Sequence, residues 1–131
     1  MRYGVTDSLE AAARAAQGCA YAPYSRYRVG AALEADDGTV FAGCNVENAS
    51  YGLTICAERA ALAAAVAGGA RRFRRAVVVS DSDPPAAPCG ACRQVLAEFG
   101  DFEVAAVGPK RTLRWTVAEL LPAAFSRAQL T

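Results

Sequence analysis

The sequence contains no histidine, and this absence removes several kinds of active site at once. A nucleophile–histidine pair and a metal centre with imidazole ligands both require a side chain that these 131 residues do not supply. Any metal that this chain binds must therefore be held by thiolates and carboxylates.

The chain also lacks an excess of either charge and lacks long apolar runs. Its 14 Lys and Arg residues balance 13 Asp and Glu residues, and the resulting net charge of +1 creates no field that attracts nucleic acid or an anionic membrane. Charged residues and two glycines interrupt the Ala-rich stretch at residues 57–70, and the first ten residues do not resemble a signal peptide. We therefore expect a cytoplasmic protein with no membrane and no nucleic-acid partner.

Cysteine is present in an odd number, five, which argues against a fully paired disulfide framework. Reduced cysteines that cluster in a cytosolic protein more often bind metal or take part in catalysis. The apolar share of 53% and the charged share of 21% are typical of a globular protein. A chain of this length predicts a single domain over residues 1–131.

Hydrophobic periodicity and turn residues predict the element order α-β-β-α-β-α-β-β-α. The first helix is expected to be capped by Asp7, and a hairpin turn at Asp36–Thr39 joins the first two strands. The strand–helix–strand order after residue 75 indicates parallel crossovers, so we predict an α/β fold, a three-layer α/β/α sandwich with a mixed five-stranded sheet. The predicted strands are Arg28–Ala35, Val40–Asn45, Arg75–Ser80, Phe102–Val107 and Thr112–Thr116, and the later helices are Cys56–Ala67, a helix from about Pro88 to Gly100, and Val117–Leu121.

Two cysteine fragments open predicted helices. Cys56-Ala-Glu begins one helix, and Pro88-Cys-Gly-Ala-Cys92 begins the next. A helix amino terminus presents unpaired N–H groups and a positive dipole end, which lower the pKa of a cysteine and favour the thiolate that a metal requires. Cys56, Cys89 and Cys92 thus supply three ligands, one fewer than a closed structural zinc site has, and the fourth position can hold water.

Two charged residues beside Cys56 complete the expected site. Zinc acidifies a bound water and so provides a hydroxide nucleophile near neutral pH, although three thiolates weaken the effect by donating charge. Arg59 is the candidate for offsetting that charge. Glu58 is not a ligand, and it can take the proton of the water and pass it on as a general acid and base. We expect one Zn²⁺ per chain and Glu58 as the catalytic residue.

The combination Cys-Ala-Glu followed by Pro-Cys-x-x-Cys resembles the signature of the zinc deaminases. Further segments extend the resemblance over almost the whole chain and narrow it to the small homotetrameric cytidine deaminases. These segments are Tyr21-Ala-Pro-Tyr-Ser, Val29-Gly-Ala-Ala, Gly43-Cys-Asn-Val-Glu-Asn, Cys56-Ala-Glu-Arg, Pro88-Cys-Gly-Ala-Cys-Arg-Gln and Leu120-Leu-Pro-Ala-Ala-Phe.

The resemblance implies hydrolytic deamination of cytidine and 2'-deoxycytidine to uridine and 2'-deoxyuridine, with pyrimidine salvage as the expected role. Zinc-bound hydroxide would attack C4 of the base, and Glu58 would protonate N3 and then the departing amine. The resemblance also implies a small-molecule nucleoside as the partner. It further implies a homotetramer in which each site is completed by a neighbouring subunit.

The resemblance assigns roles to further positions as well. Asn45 and Glu47 fall where the family holds the ribose hydroxyls, and the backbone N–H of Ala57 falls where it meets the pyrimidine carbonyl. Tyr27 takes the position of an aromatic residue that stacks on the base; the family usually has Phe there, so the hydroxyl of Tyr27 is a departure. The positions that match the contribution of the neighbouring subunit are Ala49, Tyr51 and Phe125.

Several of these residues have simpler structural interpretations. Asn45 and Glu47 have side chains that often satisfy local backbone groups in loops. Tyr51 and Phe125 are equally compatible with the hydrophobic core. Cys19 lacks ligand spacing, as does Cys44, and both are expected to pack as small hydrophobes.

Other functions remain open on the residues alone. A deaminase of a different cytosine nucleoside, such as a nucleoside antibiotic, would use the same zinc and the same Glu58. A deaminase of RNA or single-stranded DNA would need a basic channel, which the charge balance opposes, and the arginines at residues 71–75 are more typical of a solvated turn or an interface patch. A non-catalytic zinc-binding module would need a fourth protein ligand and would not depend on Glu58.

Overall fold

The computed structural model describes residues 2–130 of the chain, with side chains from residue 8 onward. Within residues 2–130, four α-helices and five strands follow one another in the predicted order, with two additional 3-10 turns at Tyr51–Leu53 and Arg127–Gln129. The helices are α1 Arg2–Gln17, α2 Ala57–Ala67, α3 Gly90–Ala97 and α4 Val117–Leu120, and the strands are β1 Gly30–Ala35, β2 Val40–Cys44, β3 Phe73–Val79, β4 Glu103–Val107 and β5 Thr112–Thr116.

Several element starts differ from the prediction: β3 begins at Phe73 instead of Arg75 and β4 at Glu103 instead of Phe102, and the starts of α1 and β1 also differ. Helix α1 begins at Arg2, so the expected cap at Asp7 is wrong: no proline interrupts residues 2–7, and the helix continues through them. Strand β1 begins at Gly30 instead of Arg28, because the N–H of Val29 donates to the side chain of Asn45 and is not available to a neighbouring strand. The loop before β1 is thus held by a side chain.

The five strands form one mixed sheet in the order β2-β1-β3-β4-β5. The hairpin β1–β2 is antiparallel, as are the pairs β1–β3 and β4–β5. Strands β3 and β4 are parallel, with Val77 opposite Ala105, and α3 makes the crossover between them. The predicted mixed five-stranded sheet is confirmed.

Helices cover both faces of this sheet. On one face, α1 packs against β1, β2 and β3, and Leu9 and Ala13 are buried there with Val77 and Val79. On the other face, buried residues of α2, α3 and α4 share a cluster with Val78 and its neighbours. Alternate residues of β3 therefore contribute to two cores, and the three-layer sandwich is confirmed. Within the described part of the chain, no helix is both long and apolar enough to cross a membrane.

Two glycines allow the helices to approach the sheet closely. A Cβ atom on Gly30 would lie 1.9 Å from the carbonyl oxygen of Ala13 in α1, and one on Gly43 would lie 2.4 Å from the backbone nitrogen of Ala61 in α2. Neither position can carry a larger side chain unless the helix moves. The close approach at Gly43 thus sets the distance between α2 and β2, and with it the position of the first residues of α2.

Candidate active site

Three cysteine sulfurs meet where α2 and α3 begin. Cys56 is the N-cap residue of α2, Cys89 is the N-cap residue of α3, and Cys92 lies in the first turn of α3. Their Sγ atoms all lie within 4.8 Å of one another, with 3.8 Å between Cys56 and Cys89 and 3.6 Å between Cys89 and Cys92. Tetrahedral zinc with Zn–S bonds of about 2.3 Å separates its sulfurs by about 3.8 Å, so this donor set fits one zinc ion.

The pKa values of Cys56 and Cys92 are shifted in opposite directions. Hydrogen bonds from the thiols of Cys92 and Cys89, together with the charge of Arg59, lower the pKa of Cys56 to about 5 against the effect of burial. The same hydrogen bond and burial raise the pKa of Cys92, and the negative charges of Glu58 and Cys56 raise it further. The thiolate form is therefore favoured at Cys56 over Cys92, and a metal requires its cysteine ligands as thiolates.

Arg59 lies on α2 beside this cluster. Its Nη2 donates to the carbonyl oxygen of Thr54 at 3.1 Å, which directs the guanidinium back toward the start of the helix. Its Nε is buried and has no hydrogen-bond partner within the described residues. The guanidinium contributes both its charge and a hydrogen bond to the low pKa of Cys56. Arg59 thus lies where a residue that offsets thiolate charge would be needed.

Glu58 is in the first turn of α2 and is only 7% exposed. Burial raises the pKa of its carboxyl, because a carboxylate removed from water loses hydration. Its own backbone N–H and the charge of Arg59 oppose this rise, whereas the negative charge of Cys56 adds to it. A raised pKa makes the Glu58 carboxylate a better proton acceptor than an exposed glutamate, and the protonated carboxyl can return that proton in a later step.

A cavity of about 190 Å³ is lined by two of the three cysteines, Cys56 and Cys89, and by the buried Glu58. Tyr27, which is 40% exposed, lies at its outer part, whereas Ala57 and Glu58 are buried at its inner part. A second cavity of about 220 Å³ shares Thr54 with the first and also contacts Tyr24, Ser25, Glu47 and Tyr51. The first cavity is lined by Tyr27, Val29, Asn45, Thr54, Cys56, Ala57, Glu58, Val78, Ala86, Ala87 and Cys89.

Asn45 lines the first cavity and also holds the loop in front of β1. Its Oδ1 accepts a hydrogen bond from the N–H of Val29 at 2.9 Å, and its Nδ2 donates to the carbonyl oxygen of Tyr27 at 2.7 Å. Because the side-chain nitrogen carries two hydrogens, one remains for another acceptor. Asn45 therefore satisfies local backbone groups and still faces the cavity.

Glu47 lines the second cavity and binds the same loop. Its Oε1 accepts from the N–H groups of Tyr24 and Ser25 at 3.0 and 3.1 Å, and its Oε2 accepts from the hydroxyl of Ser25. These hydrogen bonds, that from the Ser25 hydroxyl foremost, lower the pKa of Glu47. The carboxyl of Glu47 is thus kept ionised at the edge of the site.

The three positions expected to act in a neighbouring subunit lie at the surface. Tyr51 is 73% exposed, lines the second cavity of its own chain and packs beside Tyr24 with ring centroids 5.8 Å apart. Phe125 is 59% exposed, and its carbonyl oxygen accepts from Nε2 of Gln94 at 2.9 Å. Ala49 is exposed as well, and neither Ala49 nor Phe125 lines one of the two cavities in the described part of the chain.

Two structural interpretations of the sequence were wrong. Tyr51 and Phe125 do not belong to the core, since both are largely exposed. Cys19 is exposed also, because it follows the end of α1 in a turn and does not reach either core cluster. Cys44, at the end of β2, is partly buried.

Sequence reasoning missed the loop at residues 81–88 as part of the cavity wall. Ala86 and Ala87 line the cavity, and the Oγ of Ser82 lies 3.0 Å from the hydroxyl oxygen of Tyr27. One signal could have identified this loop: it leads directly into Pro88 and Cys89, so it must run along the metal cluster. The sequence contains no signal that Ser82 contacts the Tyr27 hydroxyl, because the two residues are 55 positions apart.

Known proteins resemble this chain in sequence and in fold. Residues 6–107 match the family model described as the cytidine and deoxycytidylate deaminase zinc-binding region. The chain is 48% identical over 128 residues to a cytidine deaminase of Sporosarcina psychrophila, which covers 95% of this chain and 94% of that protein.

Solved structures agree with the sequence matches. A cytidine deaminase from Burkholderia pseudomallei has a TM-score of 0.87 and 51% identity, and the match covers 91% of this chain and 98% of that one. A cytidine deaminase from Mycobacterium tuberculosis has a TM-score of 0.77 and 45% identity, with coverage of 91% and 95%. The likeness therefore extends to the elements that carry the three cysteines.

Proposed function

Because the chain belongs to the cytidine and deoxycytidylate deaminase zinc-binding family, we propose that it hydrolyses cytidine and 2'-deoxycytidine to uridine and 2'-deoxyuridine, releasing ammonia. One observation carries the proposal: the buried carboxyl of Glu58 lines the same cavity as Cys56 and Cys89, two members of the three-sulfur cluster. A metal-ligand set, a proton carrier and a space for a small molecule are thereby combined in one place. The relatives described above are themselves cytidine deaminases.

In this mechanism, Cys56, Cys89 and Cys92 would hold the zinc ion, which when bound would supply an activated water for attack on C4 of the base. Glu58 accepts the proton that the water loses. It then donates this proton to N3, takes the second proton of the water, and donates that proton to the departing amine. The burial that raises its pKa serves both directions of transfer, because a weaker carboxylic acid holds the proton between steps.

The remaining residues of the two cavities are proposed to orient the nucleoside. The ring of Tyr27 offers a stacking surface for the base, and the backbone N–H of Ala57 offers a donor for its carbonyl. Asn45 has one amide hydrogen left for a ribose hydroxyl, and the ionised Glu47 is an acceptor for another. The support for these roles is their position along the cavity walls.

We also propose that the protein is a cytoplasmic homotetramer that acts in pyrimidine salvage. Support for assembly comes from the apolar side chains exposed beside the second cavity, since a contiguous exposed apolar patch is a common feature of subunit interfaces. In this arrangement Ala49, Tyr51 and Phe125 would complete the site of a neighbouring subunit. The exposed apolar residues beside the second cavity are Tyr24, Tyr51, Leu53 and Ile55; Phe125, which does not line that cavity, is exposed as well. The single-domain organisation remains a prediction, supported by one sheet that both core clusters share.

Replacement of Glu58 by Gln tests the catalytic assignment. We expect Glu58→Gln to bind one zinc ion per chain, as the wild type does, and to lose at least about 100-fold in kcat, because general acid–base catalysis contributes that much. Zinc per chain and the loss of cytidine absorbance are the two measurements. Glu98→Gln, at an exposed carboxyl of α3's C-cap, is the matched control and should behave as wild type.

A zinc-loaded wild type that leaves cytidine, deoxycytidine and related cytosine nucleosides unchanged would overturn the proposal. Full activity in zinc-loaded Glu58→Gln would instead reject Glu58 as the proton carrier. Turnover of a modified cytosine nucleoside, with cytidine untouched, would favour the nucleoside-antibiotic alternative.

A further inference from the structure

A chain of hydrogen bonds leads from the aromatic ring of the cavity into the loop at residues 81–88. The hydroxyl oxygen of Tyr27 lies 3.0 Å from Oγ of Ser82, which lies 3.2 Å from Oγ of Ser80. Ser80 Oγ also accepts from the N–H of Ala86 at 3.2 Å. Ser80 is buried, so the inner end of this chain is shielded from water. The chain therefore connects Tyr27 to the backbone of a residue that lines the cavity.

The two segments that this chain joins both form walls of the cavity. Tyr27 and Val29 contribute one part of the lining, and Ala86 and Ala87 contribute another, immediately before the metal-ligand residue Cys89. A hydrogen bond between the segments sets their separation, and hence the width available to a planar ring. The hydroxyl that makes it belongs to Tyr27, at a position where the resemblance described above implies a phenylalanine.

Residues other than Tyr27 contact the 81–88 loop on the side away from the cavity. Gln17 of α1 donates to Asp81 at 3.2 Å, and Arg111 forms an ion pair with Asp83 at 2.9 Å. Gly108 closes the far side, since a Cβ there would lie 2.7 Å from the carbonyl oxygen of Ser82. The loop thus has fixed outer attachments, and the Tyr27–Ser82 hydrogen bond is the attachment that faces the substrate space.

We propose that Ser82, supported by Ser80, is a positioning residue: through the hydroxyl of Tyr27 it holds the aromatic ring and the 81–88 loop at the separation that admits a cytosine base. The inference rests on the proposed nucleoside deaminase activity. Glu58 and the three cysteines lie on α2, α3 and their N-caps, outside this chain of hydrogen bonds. Loss of the link should therefore weaken substrate binding and spare the chemical step.

Removal of the hydroxyl of Tyr27 or of Ser82 tests the proposed positioning role. Tyr27→Phe keeps the ring and Ser82→Ala keeps the loop backbone, and each should raise KM for cytidine roughly three- to tenfold with kcat within about twofold of wild type, as expected for one lost hydrogen bond. The double variant should be no worse than the worse single variant, because both remove the same link. Ser82→Thr, which retains a hydroxyl, should restore KM to near the wild-type value.

Controls come from a tyrosine and a serine outside both cavities. Tyr21→Phe and Ser8→Ala, both at exposed side chains, should leave KM and kcat unchanged. Zinc per chain is measured for every variant, so that a lost metal is not mistaken for a lost contact. Wild-type KM in both single variants, additive effects in the double variant, or a fall in kcat alone would each overturn the positioning role. An inactive, zinc-loaded wild type would overturn the proposed function, and this inference with it.

Discussion

At the residue scale, Asn45 and Glu47 show how one side chain can meet two demands. Each satisfies backbone groups of the loop at residues 24–29, and each lines a cavity. The local-backbone interpretation of these residues is therefore correct, and it does not exclude contact with a ribose. The hydrogen bonds that hold the loop also hold these side chains toward the substrate space.

The hydrogen bond from Ser25 to Glu47 leads to a titration experiment. We expect the Glu47 carboxyl to titrate below the ordinary glutamate range in the wild type, and Ser25→Ala to return its pKa toward that range, because the hydroxyl is the largest cause of the lowering. A folded-state pKa that is depressed means that Glu47 contributes stability above its unfolded-state pKa, and that this contribution is lost as the pH falls through the folded-state pKa. Carboxyl-detected NMR titration of both proteins measures the shift. Equal, ordinary pKa values in the two proteins would contradict the assignment.

At the element scale, the height of α2 above β2 determines where Cys56 and Glu58 lie. The backbone of α2 comes so close to β2 that a Cβ at Gly43 would lie 2.4 Å from the nitrogen of Ala61 and 2.8 Å from the carbonyl carbon of Ala60. These are backbone atoms of a helix, so they cannot move aside independently. A larger residue at position 43 must displace the helix as a whole.

Gly43→Ala should therefore affect both stability and metal binding. We expect a loss of about 1–3 kcal/mol in the free energy of unfolding from overpacking, and weaker zinc retention because the N-cap cysteine of α2 shifts relative to α3. Gly18→Ala is the matched control, since its added Cβ would meet only Ala15 O at 3.4 Å. Urea unfolding and competition with a zinc chelator provide the measurements. Unchanged values for Gly43→Ala would show that α2 can move without cost.

Element boundaries were predictable to the extent that local chemistry sets them. Strand β5 has the predicted bounds and β4 begins one residue late, because apolar patterning and the flanking polar residues determine both. The start of β1 was not predictable, since the hydrogen bond that holds Val29 out of the sheet comes from Asn45, 16 positions later. The start of α1 was missed because an acceptable cap residue does not stop a helix.

At the scale of the whole molecule, the exposed apolar side chains, Phe125 among them, favour assembly. Phe125→Ala should raise KM for cytidine roughly tenfold, the loss expected of a truncated aromatic at an interface, while sedimentation shows a tetramer before and after the change. Leu130→Ala, another exposed apolar residue near the end of the chain, is the control and should leave KM unchanged. A monomeric wild type with full activity would contradict the shared site.

By itself, the sequence determined the donor set and the order of the elements. Histidine is absent, three cysteines stand where helices begin, and a glutamate follows one of them, so the metal chemistry needs only local information. The mixed sheet follows from the succession of hairpin, crossover and hairpin, and the hydrophobic pattern of the sequence predicts the same succession.

Only the tertiary structure decided which side chains share a cavity and what else they bind. It brings together the hydroxyls of Tyr27 and Ser82, which are 55 positions apart. It also shows that the side-chain amide of Asn45 hydrogen-bonds to backbone groups and keeps one N–H free toward the cavity. It also exposes Tyr51 and Phe125, which patterning could equally have placed in the core. The physical reason is that these contacts depend on which distant segments lie side by side: the antiparallel pairing of β1 with β3 sets Gly30 opposite Val79 and so brings the loops that carry Tyr27 and Ser82 together.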